Sequence, residues 1–211
     1  MNTREQILKA ALDLFSEKGF EAVSVRDVTT AADVNLASVS YHFGGKEGLI
    51  QETVKLCMNP INEYRVKLLN DEIEKYGADE KVPLERIMHA LIRPAAMPEE
   101  CGVSAGLMLR LVARYFIESE YNVPTDSKNI YFGAFHAFAT ELLKHFPHLN
   151  GEQIVKNIIL VTGAVIYYQG LGVKAMQLSA GGQGETKSID REDMLKDTID
   201  FAMHGFGGKS E

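Results

Sequence analysis

Basic residues are scarce in this chain: 22 lysines and arginines stand against 29 acids, a formal net charge of −7. A protein that coats nucleic acid without sequence preference works by neutralising phosphates, so this balance argues against one. Cysteine is scarcer still. Cys57 and Cys101 are isolated, in neither a CxxC nor a Cys/His cluster, which excludes a disulfide framework and points to reduced, partly buried thiols. No apolar run reaches the ~18 residues that would suggest a membrane span, and no N-terminal basic–apolar–small segment appears. A cytoplasmic location away from membranes is expected. Sustained alternation of apolar and polar residues is missing too, as are internal repeats, so an all-α chain is expected. GxSxG, Walker-type and GxGxxG motifs are absent. His145 and His148 flank a proline in HFPH without a nearby carboxylate or third ligand, and solvated side chains are expected there rather than a metal site. No catalytic residue, metal or cofactor is expected. A small helical enzyme or an interaction scaffold is the competing class.

What is present is concentrated between Ser24 and Lys46, SVRDVTTAADVNLASVSYHFGGK. Ser24 with Asp27 forms a capping-box start, and Val25, Val28 and Ala32 then share one helical face. Asp33-Val34-Asn35 breaks the pattern with residues that tolerate turn conformations. A second short helix follows, with Leu36, Val39 and Phe43 spaced as a buried stripe. That stripe turns Ala37, Ser38 and Tyr41 outward, with Ser40 and His42 on the flanks. A helix presenting small, hydroxyl and aromatic groups suits a DNA major groove, although the same pattern would serve a helical hairpin inside an all-α core.

The run ASVSYHFGGKEGL, preceded by SVRDV, resembles the DNA-binding domain of the TetR family of one-component transcriptional regulators. The resemblance covers roughly the first 50 residues and is most specific at Tyr41-His42-Phe43 and Lys46. Asp33 replaces the usual turn Gly, and Thr29 stands where Ala is common. It implies a helix-turn-helix DNA-binding domain over 1–46 and a larger helical ligand-binding and dimerisation domain over 47–211. On that basis the partners are a double-stranded, palindromic operator, a second copy of the chain and a small-molecule effector, with the chain acting as a repressor.

Within 1–46, Tyr41, His42 and Lys46 are expected to act chiefly through phosphate. Ala37, Ser38 and Ser40 are expected to face base edges, and Arg26 can do either. Ser24 starts the first helix of the pair and joins the candidate contacts. Thr3 and Arg4 could also touch phosphate, as the resemblance implies. Charge runs against this module: residues 1–48 hold five bases (Arg4, Lys9, Lys18, Arg26, Lys46) and seven acids (Glu5, Asp13, Glu17, Glu21, Asp27, Asp33, Glu47). Placement must compensate, through backbone N–H donors at helix starts and the glycines beside Lys46.

Helices are expected over 3–18, capped by Thr3 and Gln6 and closed by Gly19 with Phe20 folding back, and from Lys46 to Pro60. Pro60 either kinks one long helix or begins another over 60–76. Further helices are expected from Pro83 through Pro94, over 101–118, over 125–146 from a Thr125/Asp126 cap, over 151–178 and over 190–206. A Gly-rich loop over 179–188 separates the last two. Ile158 to Tyr168 is apolar almost all round. Such a helix must be covered on all sides, so it is expected either to pair across a two-fold axis, with Ile158 and Val165 as positions to test, or to be a monomer's central core. Methionines and aromatics between 84 and 146, among them Met88, Met108, Phe132 and Phe135, could line an adaptable apolar cavity or simply pack. Arg110 and Arg114, one turn apart in an apolar setting, must meet either an internal carboxylate such as Glu118 or an anionic ligand headgroup. VNLASVSYHFGGKEGLIQ together with TGAVIYYQGLGVKAM resembles the branch of the family that includes fatty-acid-responsive repressors, implying an acyl chain or acyl-CoA effector. An aromatic or cationic drug-like effector is the alternative.

Overall fold

The computed structural model describes residues 1–77, 80–118, 128–172 and 190–206. They form helices α1 (Thr3–Lys18), α2 (Val25–Ala31), α3 (Ala37–Phe43), α4 (Lys46–Tyr76), α5 (Leu84–Ala96), α6 (Ala105–Glu118), α7 (Lys128–His145), α8 (Gly151–Tyr167) and α9 (Arg191–Gly205). No strand occurs among the described residues.

The chain divides into two compact units. One holds Met1–Pro60 and the stretch from Val103 through α6; the other holds Ile61–Gly102 and α7 onward. The division into units runs at Pro60, within α4, and α6 joins the N-terminal helices.

The first unit is organised on α1, which buries Ile7, Leu8, Ala11 and Phe15. Its cap is set one residue earlier than expected. Asn2, not Thr3, accepts from the Glu5 N–H, and Glu5 returns the bond to the Asn2 N–H. Asparagine is the stronger capping residue, and Glu5 then lies at the position a capping box requires. Gly19 ends the helix at φ 89°. Phe20 does fold back: its ring lies 5.4 Å from Phe15 and 6.2 Å, edge-on, from Tyr115 of α6. Phe15 and Phe20 are both essentially inaccessible, and each contributes roughly 1.5–3 kcal/mol by burial.

In the second unit α5 is the central element, burying Ile87, Met88, Leu91 and Ile92 and packing on α7, α8 and α9. Arg65, from the second half of α4, is buried and donates from Nε to the Leu91 carbonyl at 2.9 Å and from a terminal nitrogen to Asn62 Oδ1. Asn157 of α8 donates to the Phe206 carbonyl beyond α9 at 2.8 Å. Pro60 begins no new helix, because α4 runs through it unbroken. Proline leaves the Leu56 carbonyl without its intrahelical donor, and Leu56 is exposed, on a side open to water.

Several expected boundaries shift. Residues 98–101 form a 3₁₀ turn closed by Gly102 at φ 74°, so the helix expected from 101 starts at Ala105. There the Ser104 hydroxyl accepts from the Leu107 N–H. The helix expected over 151–178 ends at Tyr167 and passes into a π turn, Tyr168–Gly172. The Thr125/Asp126 cap, the segment 173–178 and the loop over 179–188 lie outside the described residues. His145 is not simply solvated: it is half-buried, with Nε2 2.8 Å from the Val82 carbonyl. Burial pushes the thiols of Cys57 and Cys101 up to about 11, so both are protonated, unreactive groups at neutral pH.

Candidate nucleic-acid interface

The pair α2–α3 is assembled by short-range chemistry. The Ser24 hydroxyl accepts from the Asp27 N–H at 3.1 Å and donates to Asp27 Oδ2 at 2.6 Å, while the Ser24 N–H donates to the same carboxylate. Those bonds hold the Asp27 carboxyl below its usual range, the hydroxyl bond first and the backbone bond second. They also commit both polar groups of Ser24 to the cap. At the turn, Asp33 takes φ 53°, the left-handed conformation that Asp tolerates better than most residues with a Cβ. Thr29 is buried, and its hydroxyl is satisfied by the Arg26 carbonyl at 3.2 Å. Asn35 then opens α3, its Oδ1 accepting from the Ala37 N–H at 2.9 Å.

Val39 and Phe43 anchor α3 against the unit, but Leu36 does not join them: it is 49% exposed. Its phase is close to theirs, yet it stands at the N-cap, where the packing neighbours α1 and α2 leave it uncovered. Ala37 and Ser40 are exposed and Ser38 half-buried. Tyr41 is 85% exposed, its ring standing edge-on to His42 at 4.9 Å. His42 is half-buried and reaches the Phe43 ring edge at 6.1 Å. The outward face of α3 thus carries small, hydroxyl and aromatic groups in the order expected.

A tight corner joins α3 to α4. Gly44 caps α3 in the left-handed region at φ 73°. A Cβ on Gly48 would lie 1.9 Å from the Phe43 carbonyl oxygen, so only glycine lets α4 start this close to α3. Lys46, the first residue of α4, is half-buried, and neither it nor the exposed Arg26 makes an ion pair among the described residues. Thr3 is half-buried in the first turn of α1. Arg4 is engaged: it pairs with Glu52 of α4, and its guanidinium lies 5.4 Å from the centre of the Phe43 ring.

Residues 7–53 match the model for bacterial regulatory proteins of the tetR family. Over this segment the chain is similar to the DNA-binding part of that family. It is 44% identical over 54 residues to the probable HTH-type transcriptional regulator YttP of Bacillus subtilis, 26% of each chain. It is 29% identical over 76 residues to the IcaR negative transcriptional regulator of the Staphylococcus aureus biofilm operon icaADBC, covering 36% of this chain and 40% of that protein. The match therefore spans well under half the length of these curated relatives. The TetR-like fold extends further. The structure of the fatty acid degradation regulator FadR from Bacillus halodurans aligns with TM-score 0.57 over 95% of this chain and 98% of that one, at 14% identity.

The expected ligand residues are not gathered as the DNA candidates are. Met88 is fully buried and Phe135 half-buried in the second unit. Met108 is buried in the first unit, where Arg110 is exposed and Arg114 half-buried. Phe132 belongs to α7, but its side chain lies outside the described residues. A shallow depression of about 340 Å³ between α1 and α2, lined by residues including Gln6, Lys9, Asp13 and Ala32, contains none of these candidates.

Proposed function

We propose that this chain is a DNA-binding transcriptional repressor that grips a palindromic operator as a homodimer and releases it on binding a small apolar effector. The observation that carries the proposal is the outward face of α3: Ala37, Ser40 and Tyr41 are exposed and Ser38 half-buried, on a helix fixed by the Asp33 turn and the Gly44 corner. Ala37, Ser38 and Ser40 meet base edges in the major groove, and Tyr41, His42 and Lys46 hold phosphates. Arg26, with Thr3 and Arg4 at the start of α1, flanks the groove.

A palindromic site needs two such helices, and α8 offers the means of pairing. Ile159, Leu160 and Tyr167 form an exposed apolar stripe on α8, and Phe201 is exposed on α9; they are 54%, 63%, 62% and 68% accessible. Large apolar side chains grouped on one face of α8 suit a second copy of the same surface. Ile158 and Val165, in contrast, are fully buried within their own subunit.

For the effector we favour an acyl chain or acyl-CoA. Within the second unit, the buried Met88 and half-buried Phe135 are the candidates to hold the acyl chain. Selection of duplex DNA from a random pool, followed by footprinting, tests the first part: two half-sites about 34–36 Å apart are expected. Release of the selected site by fatty acids, their CoA thioesters and cationic dyes tests the second. Affinity should climb by about 0.8 kcal/mol per CH₂ until the cavity fills. Release by the dyes alone would assign the drug-like effector and leave the repressor proposal in place.

A further inference from the structure

Arg4 was expected to hold phosphate, yet an internal carboxylate already occupies it. Glu52 accepts from an Arg4 terminal nitrogen through Oε2 and from Lys55 Nζ at 2.7 Å through Oε1. The guanidinium is placed from a second side by the Phe43 ring at 5.4 Å. Its side chain is 45% accessible, whereas Glu52 is 29% and Lys55 21% accessible. Arg4 is therefore the partner that can turn toward solvent, and Glu52 the one fixed against the unit. These groups tie the start of α1, the last residue of α3 and the second turn of α4 to one another.

We infer that Glu52 is a stand-in for DNA phosphate: it holds Arg4 while the protein is free and must yield it when DNA arrives. An exposed ion pair is weak, so the exchange of carboxylate for phosphate is close to balanced. Docking then gains little from Arg4 on random DNA, where the fit is poor. On an operator, correctly placed phosphates complete the exchange. Glu52 thus lowers background binding and sharpens discrimination, in a module that already carries more acids than bases. This inference rests on the DNA-binding proposal above.

The test is a double-mutant cycle with Glu52→Gln, Arg4→Ala and the pair, each checked for an unchanged melting profile, on random-sequence duplex across a salt series. Glu52→Gln keeps the shape of the side chain and removes its charge. It should steepen the salt dependence by about one unit and raise random-duplex affinity about eightfold near 0.1 M salt, the effect of one added phosphate contact. In the Arg4→Ala background most of that gain should vanish. An equal gain with or without Arg4 would mean simple removal of a repelling charge, and weaker binding by Glu52→Gln would make Glu52 a support for Arg4; either overturns the inference and leaves DNA binding standing. If neither wild type nor variant bound duplex DNA at any salt, the DNA-binding proposal would fall and this inference with it.

Discussion

Helices α3 and α8 each turn a face to solvent, and the two faces are opposites in chemistry. That of α3 is built of Ala37, Ser38, Ser40 and Tyr41; that of α8 is built of Ile159, Leu160 and Tyr167. Small and hydroxyl groups lose little when wet and can approach a hydrated, charged groove closely. Branched aliphatic groups gain only when water leaves, which requires a dry, matching surface. Exposure alone therefore says little about purpose; the chemistry of what is exposed separates the face proposed for nucleic acid from the face proposed for a second copy.

The sharpest way to break the comparison is to place the same charge on neighbouring residues of α8. Ile158→Glu puts a carboxylate into a fully buried site, at a cost of several kcal/mol, and loss of the cooperative melting transition is expected. Leu160→Glu changes a residue that is already wet. A folded chain with nearly unchanged melting is expected, sedimenting as a monomer and holding half-sites at best. A full-size dimer from Leu160→Glu would move the interface off this face.

On α3 the expected effects are smaller and of two kinds. Lys46→Ala should weaken binding to all sequences and reduce the salt slope by about one unit. Ser38→Ala should leave the slope alone and change preference at one or two base pairs, read by competition among operator variants. If both substitutions acted alike, the division between phosphate holders and base readers would fail.

The smallest effect concerns α5, between the buried core and the surface. His89 is half-buried; burial lowers its proton affinity, and the charges of Arg93 and Arg86 lower it further. A histidine that is harder to protonate when folded gives stability that is fully present above its unfolded value of about 6.5 and is lost as pH falls toward the folded value. The urea midpoint should therefore decline modestly on acidification from about pH 7.5 to 5.5, and less so in His89→Gln.

Local signals were readable in the sequence. Ser24 with Asp27, the left-handed Asp33, the fold-back of Phe20 and the extent of α1 all depend on residues a few positions apart. Asn2 in place of Thr3 at the α1 cap shows the limit of such reading, since adjacent good cappers compete and a shift of one residue changes which wins. The exposed side of α8 was not readable: a helix apolar all round carries no phase, and only its neighbours decide that Ile158 and Val165 point inward. The Arg4–Glu52 pair was hidden for a different reason. The two residues lie 48 positions apart, and nothing in the spacing of charges marks them as neighbours. Leu36 had the right phase but no neighbour to cover it.

One contact also sets a timetable for the chain's birth. Phe20 is sealed at its edge by Tyr115, a residue of the same compact unit. On a ribosome adding about 5–20 residues per second, the helix-turn-helix segment emerges whole while α6 has yet to be made. For roughly 5–20 seconds the nascent module must keep an uncovered aromatic edge from sticking to other chains. The helix-turn-helix segment is thus translated first but finished late, because its completion is tied to a helix that arrives only about halfway through synthesis.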